Sequence, residues 1–198
     1  MSGATIEERF PDSATFGNRL VVEDLESEAV QLHLDHLSLV PSRLHRELVA
    51  KGLECVLIGD KTVPEFPGME IWRDQPPRGW PDGMRWNDVP GCYDVAGRRL
   101  ILGGGGASQG SESLALHEYG HAVDHLFGSL SGSQRFRGFH EAFIDILPDY
   151  LVQDGPGDVA ACQELFAESF ALAVLEGPGY LADLYHPDYA TFFEELLS

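Results

Sequence analysis

Apolar residues recur with helical spacing in several stretches of this chain. In the N-terminal half, one such stretch begins at Glu26, and a second follows Pro41 and ends at Gly52, a frequent helix stop. In the C-terminal half, further stretches with the same spacing cover residues 114–127, 136–146 and 159–175. The pattern therefore predicts a C-terminal half that is mostly helical.

Two short apolar runs are typical of strands. Residues 55–59 resemble a buried strand, and residues 99–102 are predicted as the second strand of a hairpin that turns at Ala96 and Gly97. Glycines occupy the next positions, 103–106. Because the Gly-Lys-Ser/Thr ending of a phosphate-binding loop is absent, we expect these glycines to form a flexible lead-in to the next helix.

Two regions flank these elements. Residues 1–20 are polar with scattered glycine, proline and serine, and we predict a flexible arm there, with residues 21–198 forming a single domain. Residues 61–91 are rich in proline and glycine, and they contain Trp72, Trp80 and Trp86. A long aromatic loop of this kind either binds a ligand or is anchored to the core by its tryptophans, and the sequence leaves both open.

Charge and composition exclude several classes of partner. The 198 residues are 43% hydrophobic and carry a formal net charge of −19, and all 13 Lys and Arg residues lie at or before Arg137. Such an acidic surface repels nucleic acid and anionic lipid and attracts basic partners. No stretch comes near the roughly 18 apolar residues that a membrane helix needs. We therefore expect neither nucleic acid nor a membrane as a partner.

The cysteines and the N-terminus indicate the compartment. Cys55, Cys92 and Cys162 are an odd number without C-x-x-C spacing, which predicts reduced thiols rather than disulfides or a thiolate metal site. The N-terminal region lacks a cationic start followed by an apolar run, so an ordinary signal peptide is not expected. We expect a cytoplasmic protein, and export by a route that needs no such signal stays open.

The candidate chemistry lies in the predicted helix at residues 114–127. It contains His117, Glu118 and His121 in the pattern H-E-x-x-H. Residues four apart on a helix lie one above the other, so both imidazoles can point at one metal ion. Zinc suits these ligands, since a catalytic zinc site uses three protein ligands and leaves a fourth position for water. Glu118 would then lie beside that water as a general base.

A solvent-exposed helix face would also produce this polar stripe. Such a face usually carries lysine or arginine, however, and none occurs between Gln109 and Gln134. We therefore favour a metal site. His33, His36 and His45, in contrast, have no carboxylate or cysteine partner at ligand spacing, and we expect them to be packing or surface residues.

A third ligand is expected from the predicted helix at residues 159–175. Glu164 and Glu168 lie four apart in an otherwise apolar stretch, where like charges repel and resist burial. A metal ion would bind one carboxylate, and the other could orient a ligand through a hydrogen bond. Spacing alone does not say which of the two glutamates binds the metal. Both could instead face solvent. His125 follows His121 by four residues and is a further candidate, although the apolar setting favours a glutamate.

The hairpin indicates where an extended ligand would bind. A strand just ahead of a zinc-binding helix can leave one edge free, and a peptide can add to such an edge through main-chain hydrogen bonds. We therefore expect Leu100, Ile101 and Leu102 to form an edge strand that lines the substrate cleft.

Three blocks of sequence resemble a known family. They are His-Glu-Tyr-Gly-His-Ala-Val-Asp at 117–124, Phe-Ile-Asp-Ile at 143–146 and Gln-Glu-Leu-Phe-Ala-Glu-Ser-Phe at 163–170. The first and last are similar to the catalytic domain of anthrax lethal factor and to the related Pro-Pro endopeptidases of clostridia, and the second is similar to lethal factor. The resemblance implies an α+β fold: a zincin-like metallopeptidase domain with a small mixed sheet, an edge strand over the cleft, an active-site helix and a mostly helical C-terminal half.

The same resemblance implies the roles of the site residues. The ligands of one zinc ion per chain are then His117, His121 and Glu164, and the base is Glu118. Glu168 supports the site in the family, and we expect Asp124 to lie in the same outer layer.

One position departs from the family pattern. The family places a tyrosine that stabilises the oxyanion seven residues before the third ligand, whereas this chain has Gly157 there. Tyr150, Tyr180 and Tyr185 are the tyrosines that could substitute for it.

Together these features predict a zinc-dependent endopeptidase that acts on a peptide or protein. Family precedent and the acidic charge favour a proline-rich or basic substrate. Two alternatives stay open. One is a zinc-stabilised module that binds peptides or proteins with weak or no catalysis, which Gly157 in the tyrosine position would fit. The other is a regulatory peptidase with one protein target.

Overall fold

The computed structural model describes residues 4–77, 83–106, 111–152 and 155–198. Their strands are β1 (Leu20–Glu23), β2 (Glu54–Ile58), β3 (Gly91–Asp94) and β4 (Arg99–Leu102). Their helices are α1 (Ile6–Arg9), α2 (Ser13–Phe16), α3 (Glu28–Leu37), α4 (Ser42–Ala50), α5 (Leu114–Leu126), α6 (Gln134–Phe143), α7 (Val159–Leu175), α8 (Pro178–Leu184) and α9 (Pro187–Leu197). The architecture is α+β with a mostly helical C-terminal half, as predicted.

The sheet is mixed and has the strand order β1-β2-β4-β3. The strands β1, β2 and β4 run parallel, and β3 runs antiparallel to β4. Because β4 is paired on both sides, the prediction that Leu100, Ile101 and Leu102 form an edge strand is wrong, and β3 is the edge strand instead. The hairpin pattern could not reveal this, since the choice of partner for β2 depends on residues far away in the sequence.

Residues 4–20 pack on the rest of the chain rather than extending from it. Phe10 and Phe16 are buried in the main hydrophobic core, with ring centroids 5.6 Å apart. Arg9 forms an ion pair of 2.8 Å with Asp35 on α3. The prediction of a flexible arm is therefore corrected for these residues, because their polar composition concealed two phenylalanines that the core accepts.

The glycines before α5 are tightly packed, which corrects the prediction of a flexible lead-in. A Cβ atom added at Gly103 would collide with the carbonyl oxygen of Lys61. The main-chain N–H of Gly104 donates to the carbonyl oxygen of Gly59 at 2.8 Å. Glycine is needed here because two backbone segments approach too closely to leave space for a side chain.

The aromatic loop is anchored through two of its tryptophans. Trp72 and Trp86 lie partly buried against a second, smaller apolar cluster that contains Met69 and Val89. Their ring centroids are 4.6 Å apart. Trp72 and Trp86 therefore anchor the loop to the core, which is one of the two alternatives that the sequence left open. Trp80 lies outside the described residues.

The histidines predicted as packing residues join separate elements of the fold. His33 contacts the carbonyl oxygen of Gly103 at 3.1 Å, and His36 contacts the hydroxyl of Ser113 at 2.7 Å. His45 is completely buried in the main core. Two of these contacts fix the start of α5, because Gly103 and Ser113 precede that helix.

Two further findings concern the compartment. Within the described ranges, no helix is both long and apolar enough to cross a membrane. The thiols of Cys55, Cys92 and Cys162 are buried and free.

Candidate metal centre

Helix α5 presents both histidines of the H-E-x-x-H pattern on one face. The helix begins after Ser113, whose hydroxyl accepts the N–H of Leu116 at 3.2 Å in the N-cap position. His117 and His121 follow one turn apart, and their Nε2 atoms are separated by 3.1 Å. Both imidazoles therefore point at the same place, as the spacing predicts.

Helix α7 brings a third donor to this place. Its first turn is capped by Asp158, whose carboxylate accepts the N–H of Ala161 at 2.8 Å. Gly120 of α5 allows α7 to approach closely, because a Cβ atom at that position would lie only 2.9 Å from the Cα of Ala167. The close approach puts Glu164 opposite the two histidines.

The carboxylate of Glu164 spans the two imidazoles with a geometry that fits zinc. Its Oε2 lies 3.3 Å from Nε2 of His117, and its Oε1 lies 3.6 Å from Nε2 of His121. Tetrahedral ligands with zinc bonds of about 2.0–2.1 Å are themselves about 3.3 Å apart. The donor separations of 3.1–3.6 Å are close to that length, although each imidazole faces a different oxygen of the carboxylate. With one ligand atom from each residue, the three donors lie within 4.8 Å of one another. Two imidazoles and one carboxylate also leave a fourth position open, as catalytic zinc sites do.

Opposite charges hold the metal-free site together. Burial alone would lower the pKa of His117, but the carboxylates of Glu164 and Glu168 outweigh burial and raise that pKa to about 10. Burial would likewise raise the pKa of Glu164, but its contacts with His117 and His121 hold it well below the usual value. The carboxylate of Glu164 is thus ionised beside a protonated His117, and a dication could take the place of that proton.

Glu168 lies behind His117, at the ring nitrogen that faces away from Glu164. Its Oε1 is 3.2 Å from Nδ1 of His117, which is ion-pair distance without the alignment of an ordinary hydrogen bond. Its Oε2 accepts the hydroxyl of Ser111 at 3.2 Å. A carboxylate in this position orients a metal-binding histidine and raises the basicity of its ring. Ser111 gave no signal in the sequence, because nothing in a glycine- and serine-rich segment singles it out.

Glu118 lies beside the three donors and against the edge of the sheet. Its Oε2 accepts the main-chain N–H of Tyr93 in β3 at 2.8 Å. The side chain is only 6% exposed. Burial raises the pKa of the carboxyl group, and the nearby His117 and His121 oppose that rise. Tyr93 could not be identified from the sequence, since this bond uses its backbone.

Two other polar residues of α5 bond elsewhere. Nδ1 of His125 lies 2.9 Å from the hydroxyl of Tyr93, and Glu164 rather than His125 completes the donor group. Asp124 accepts the main-chain N–H of Ser131 at 2.7 Å and its hydroxyl at 2.8 Å. These contacts stabilise the turn after α5, so they do not support the prediction that Asp124 braces a ligand.

Comparison with known proteins accounts for this arrangement. Residues 13–178 match the family described as "Anthrax toxin lethal factor, N- and C-terminal domain". The chain belongs to the lethal factor family. Among solved structures, it is similar to the PRO-PRO endopeptidase PPEP-2 from Paenibacillus alvei, with a TM-score of 0.72 and 26% identity over 92% of this chain and 99% of that chain. Comparison with curated proteins gives no match. The α+β zincin-like fold and the family that the sequence predicted are both confirmed, and the chain is related to an endopeptidase.

Gly157 occupies the position where the family resemblance predicted a tyrosine. Gly157 stands there with a φ of +73°, a conformation that side chains rarely adopt. Tyr150, one of the proposed substitutes, lies in a short 3₁₀ turn, Asp149–Leu151, that packs on α7. Burial, with the charges of Glu168, Tyr185 and Glu164, raises the pKa of Tyr150 to about 12.

The other two candidate tyrosines of this lethal factor relative are held differently. Tyr185 stacks on Phe143 with ring centroids 5.0 Å apart and also packs against Tyr189 at 5.3 Å. Tyr180 lies on α8 and is 42% exposed. Tyr150 is itself 53% exposed, so exposure does not separate it from Tyr180, but the charges of both Glu168 and Glu164 act on Tyr150.

Proposed function

We propose that this chain is a zinc-dependent endopeptidase. The chain acts as a single catalytic domain to whose core residues 4–20 contribute, and His117, His121 and Glu164 hold one zinc ion. The observation that carries the proposal is the convergence of these donors at 3.1–3.6 Å beside the buried carboxylate of Glu118. The relationship to a Pro-Pro endopeptidase supports the reaction class.

Glu118 carries protons during the reaction. When bound, zinc acts as a Lewis acid that brings the pKa of a coordinated water to about 7 and polarises the scissile carbonyl. Glu118 takes a proton from the attacking water and delivers it to the leaving amine. Burial raises the pKa of Glu118, which suits a group that must both accept and release a proton. The N–H of Tyr93 holds one oxygen of this carboxylate, which leaves the other for the water.

Tyr150 supplies the hydroxyl that stabilises the oxyanion. A donor is required where negative charge develops on the carbonyl oxygen, and removal of one such donor typically costs about 10²–10³ in rate. With a pKa of about 12, Tyr150 keeps its proton at neutral pH. The turn that carries Tyr150 also packs on α7, the helix of Glu164.

The substrate is a peptide or protein that lies in an extended conformation along β3. This strand takes the role that was expected of Leu100, Ile101 and Leu102, because, of the two outer strands, β1 and β3, it is β3 that contacts Glu118. The similar structure is that of a Pro-Pro endopeptidase, and this relationship favours proline-rich sequences. The net charge of −19 favours basic ones.

The first test compares zinc-loaded wild type with Glu118→Gln on a diverse peptide library. Gln keeps the shape of the side chain but cannot act as a base, so zinc content should stay at about one ion per chain. Cleavage should fall by about 10²–10⁴-fold. Cleavage by wild type alone would establish the peptidase and reveal the residues around the scissile bond. Equal cleavage by both proteins would refute the role of Glu118.

A second candidate function is a zinc-stabilised peptide-binding module, which Gly157 at the family tyrosine position favours. It predicts that the zinc-loaded wild type retains peptides tightly and hydrolyses none. The same library, measured for retention as well as cleavage, separates the two functions.

A further inference from the structure

One buried histidine holds two points of the chain that lie just before α7, the helix of Glu164. His140 lies on α6 and is completely buried. Its Nε2 lies 2.7 Å from the carbonyl oxygen of Leu151. The main-chain N–H of Gly157 donates to its Nδ1 at 3.0 Å. A single imidazole therefore ties the end of the Asp149–Leu151 turn to the residue just before the cap of α7.

The two hydrogen bonds require one form of the ring. Because the N–H of Gly157 can only donate, Nδ1 of His140 must be unprotonated. The proton of the neutral ring is then on Nε2, which donates it to the carbonyl oxygen of Leu151. A protonated imidazole would present a second N–H to Gly157 and break that contact. The structure thus uses His140 as a neutral donor and acceptor.

Gly157 is adapted to this contact. Its φ of +73° favours glycine, and a Cβ atom there would lie 3.1 Å from Oε1 of Glu141. The position where the family has a tyrosine side chain thus contributes its main-chain N–H to His140 in this protein. Replacement of Gly157 by tyrosine alone would strain the backbone and disturb the hydrogen bond.

The other end of the contact carries the candidate oxyanion donor. Tyr150 directly precedes Leu151, whose side chain is 2% exposed and whose carbonyl oxygen is bound by His140. The Asp149–Leu151 turn packs on α7, which carries Glu164 and Glu168. Fixing Leu151 therefore fixes the backbone from which the phenol of Tyr150 extends.

We propose that His140 is a positioning residue that acts through Tyr150: by binding the carbonyl oxygen of Leu151 and the N–H of Gly157, it holds the turn that carries Tyr150 against α7, the helix of Glu164. This inference rests on the proposed peptidase function. It replaces the single family tyrosine with a pair of residues, one that holds the backbone and one that contacts the substrate.

The test is a double-mutant cycle on the zinc-loaded enzyme with a cleavable peptide. Tyr150→Phe should lower kcat by about 10²–10³-fold. His140→Leu removes both hydrogen bonds and should lower kcat on the order of 10²-fold, with KM within about twofold of wild type. In Tyr150→Phe, adding His140→Leu should change kcat by no more than about twofold, because the two residues act on one step.

Two further variants serve as controls. His140→Gln can accept from Gly157 and donate to Leu151, so its kcat should return to within about threefold of wild type. Tyr180→Phe changes an exposed phenol on α8 and should leave kcat unaltered. In the metal-free protein, ¹⁵N NMR of the ring should show a protonated Nε2 and an unprotonated Nδ1.

Several results would overturn the inference. These are an unaltered kcat for Tyr150→Phe, multiplicative losses in the double mutant, no recovery in His140→Gln, or a protonated Nδ1 in the metal-free protein. A failure of the proposed function looks different, because the wild type itself would then cleave no peptide, and the role of His140 in catalysis would fall with it.

Discussion

Gly120→Ala tests whether the close contact between α5 and α7 sets the metal geometry. Gly120 lies between His117 and His121 in sequence, at the point where α7 passes closest. A Cβ atom there would lie 2.9 Å from the Cα of Ala167 and 3.2 Å from the Cβ of Phe170. Backbone atoms cannot move aside as a flexible side chain can, so we expect the two helices to separate.

The separation can be estimated from these contacts. Ordinary van der Waals contact begins near 3.4 Å, so a contact of 2.9 Å must lengthen by about 0.5 Å. Metal sites tolerate deviations of about 0.2 Å in their bond lengths, and disturbances next to a site typically cost about 10–100-fold in metal affinity. We therefore expect zinc affinity to fall by about 10–100-fold. Overpacking should lower the free energy of unfolding by about 1–3 kcal/mol. The higher helix propensity of alanine should raise it by up to about 1 kcal/mol.

The assay is competition with a chelator for zinc, together with urea unfolding of the metal-free protein. The matched control is Gly138→Ala on α6, where an added Cβ meets nothing within 4 Å. This control should keep wild-type zinc affinity and gain up to about 1 kcal/mol from helix propensity. If Gly120→Ala bound zinc as tightly as the control and was equally stable, the helix contact would not determine the site.

Two further predictions concern Glu168, which contacts His117, and His45, which is buried in the core. Glu168→Gln should weaken zinc binding by about tenfold or more, because a neutral amide no longer attracts Nδ1 of His117. The assay is chelator competition, and an unchanged zinc affinity would show that Glu168 does not orient His117. Burial lowers the pKa of His45 from 6.5 to about 4, although Asp12 and the Leu37 carbonyl oppose the change. The folded protein keeps the His45 ring neutral, whereas the unfolded chain binds a proton there below about pH 6.5. The free energy of unfolding therefore has its full value above about pH 6.5 and falls by about 1.4 kcal/mol for each pH unit down to about pH 4. Between pH 7 and pH 5, the free energy of unfolding of the metal-free protein, measured with urea, should therefore fall by about 2 kcal/mol more in the wild type than in His45→Gln. Equal decreases in the two proteins would show that His45 is not the cause.

The sequence could predict the donors because each has a local signature. His117 and His121 are one turn apart on a helix without basic residues, and Glu164 and Glu168 are carboxylates in an apolar helix. Their convergence depends on Gly120, whose lack of a side chain is visible in the sequence but whose opposing residue is not. The pattern therefore indicated the donor types, the family resemblance favoured Glu164 over Glu168, and the helix crossing that brings the candidate donors together required the structure.

Other features have no local signature at all. The pairing of β2 with β4 rather than β3 decides which strand lies beside Glu118, and that choice is made by contacts between distant residues. The bond from Tyr93 to Glu118 uses a main-chain N–H, which every residue except proline can supply. The glycines at 103–106 were expected to be flexible because sequence shows their freedom but not the backbone of Lys61 beside them.

The contacts among the donors also give the buried charges partners without a metal. Two carboxylates one turn apart on a buried helix would repel each other and oppose folding if they had no partners. Here Glu164 pairs with both histidines, and Glu168 lies between His117 and the hydroxyl of Ser111. The charges that zinc requires are thus already balanced by protonated imidazole in the metal-free state. In the proposed function, zinc would replace that proton in a site whose donors are in place, so binding would depend on displacement of the proton rather than on folding of the chain.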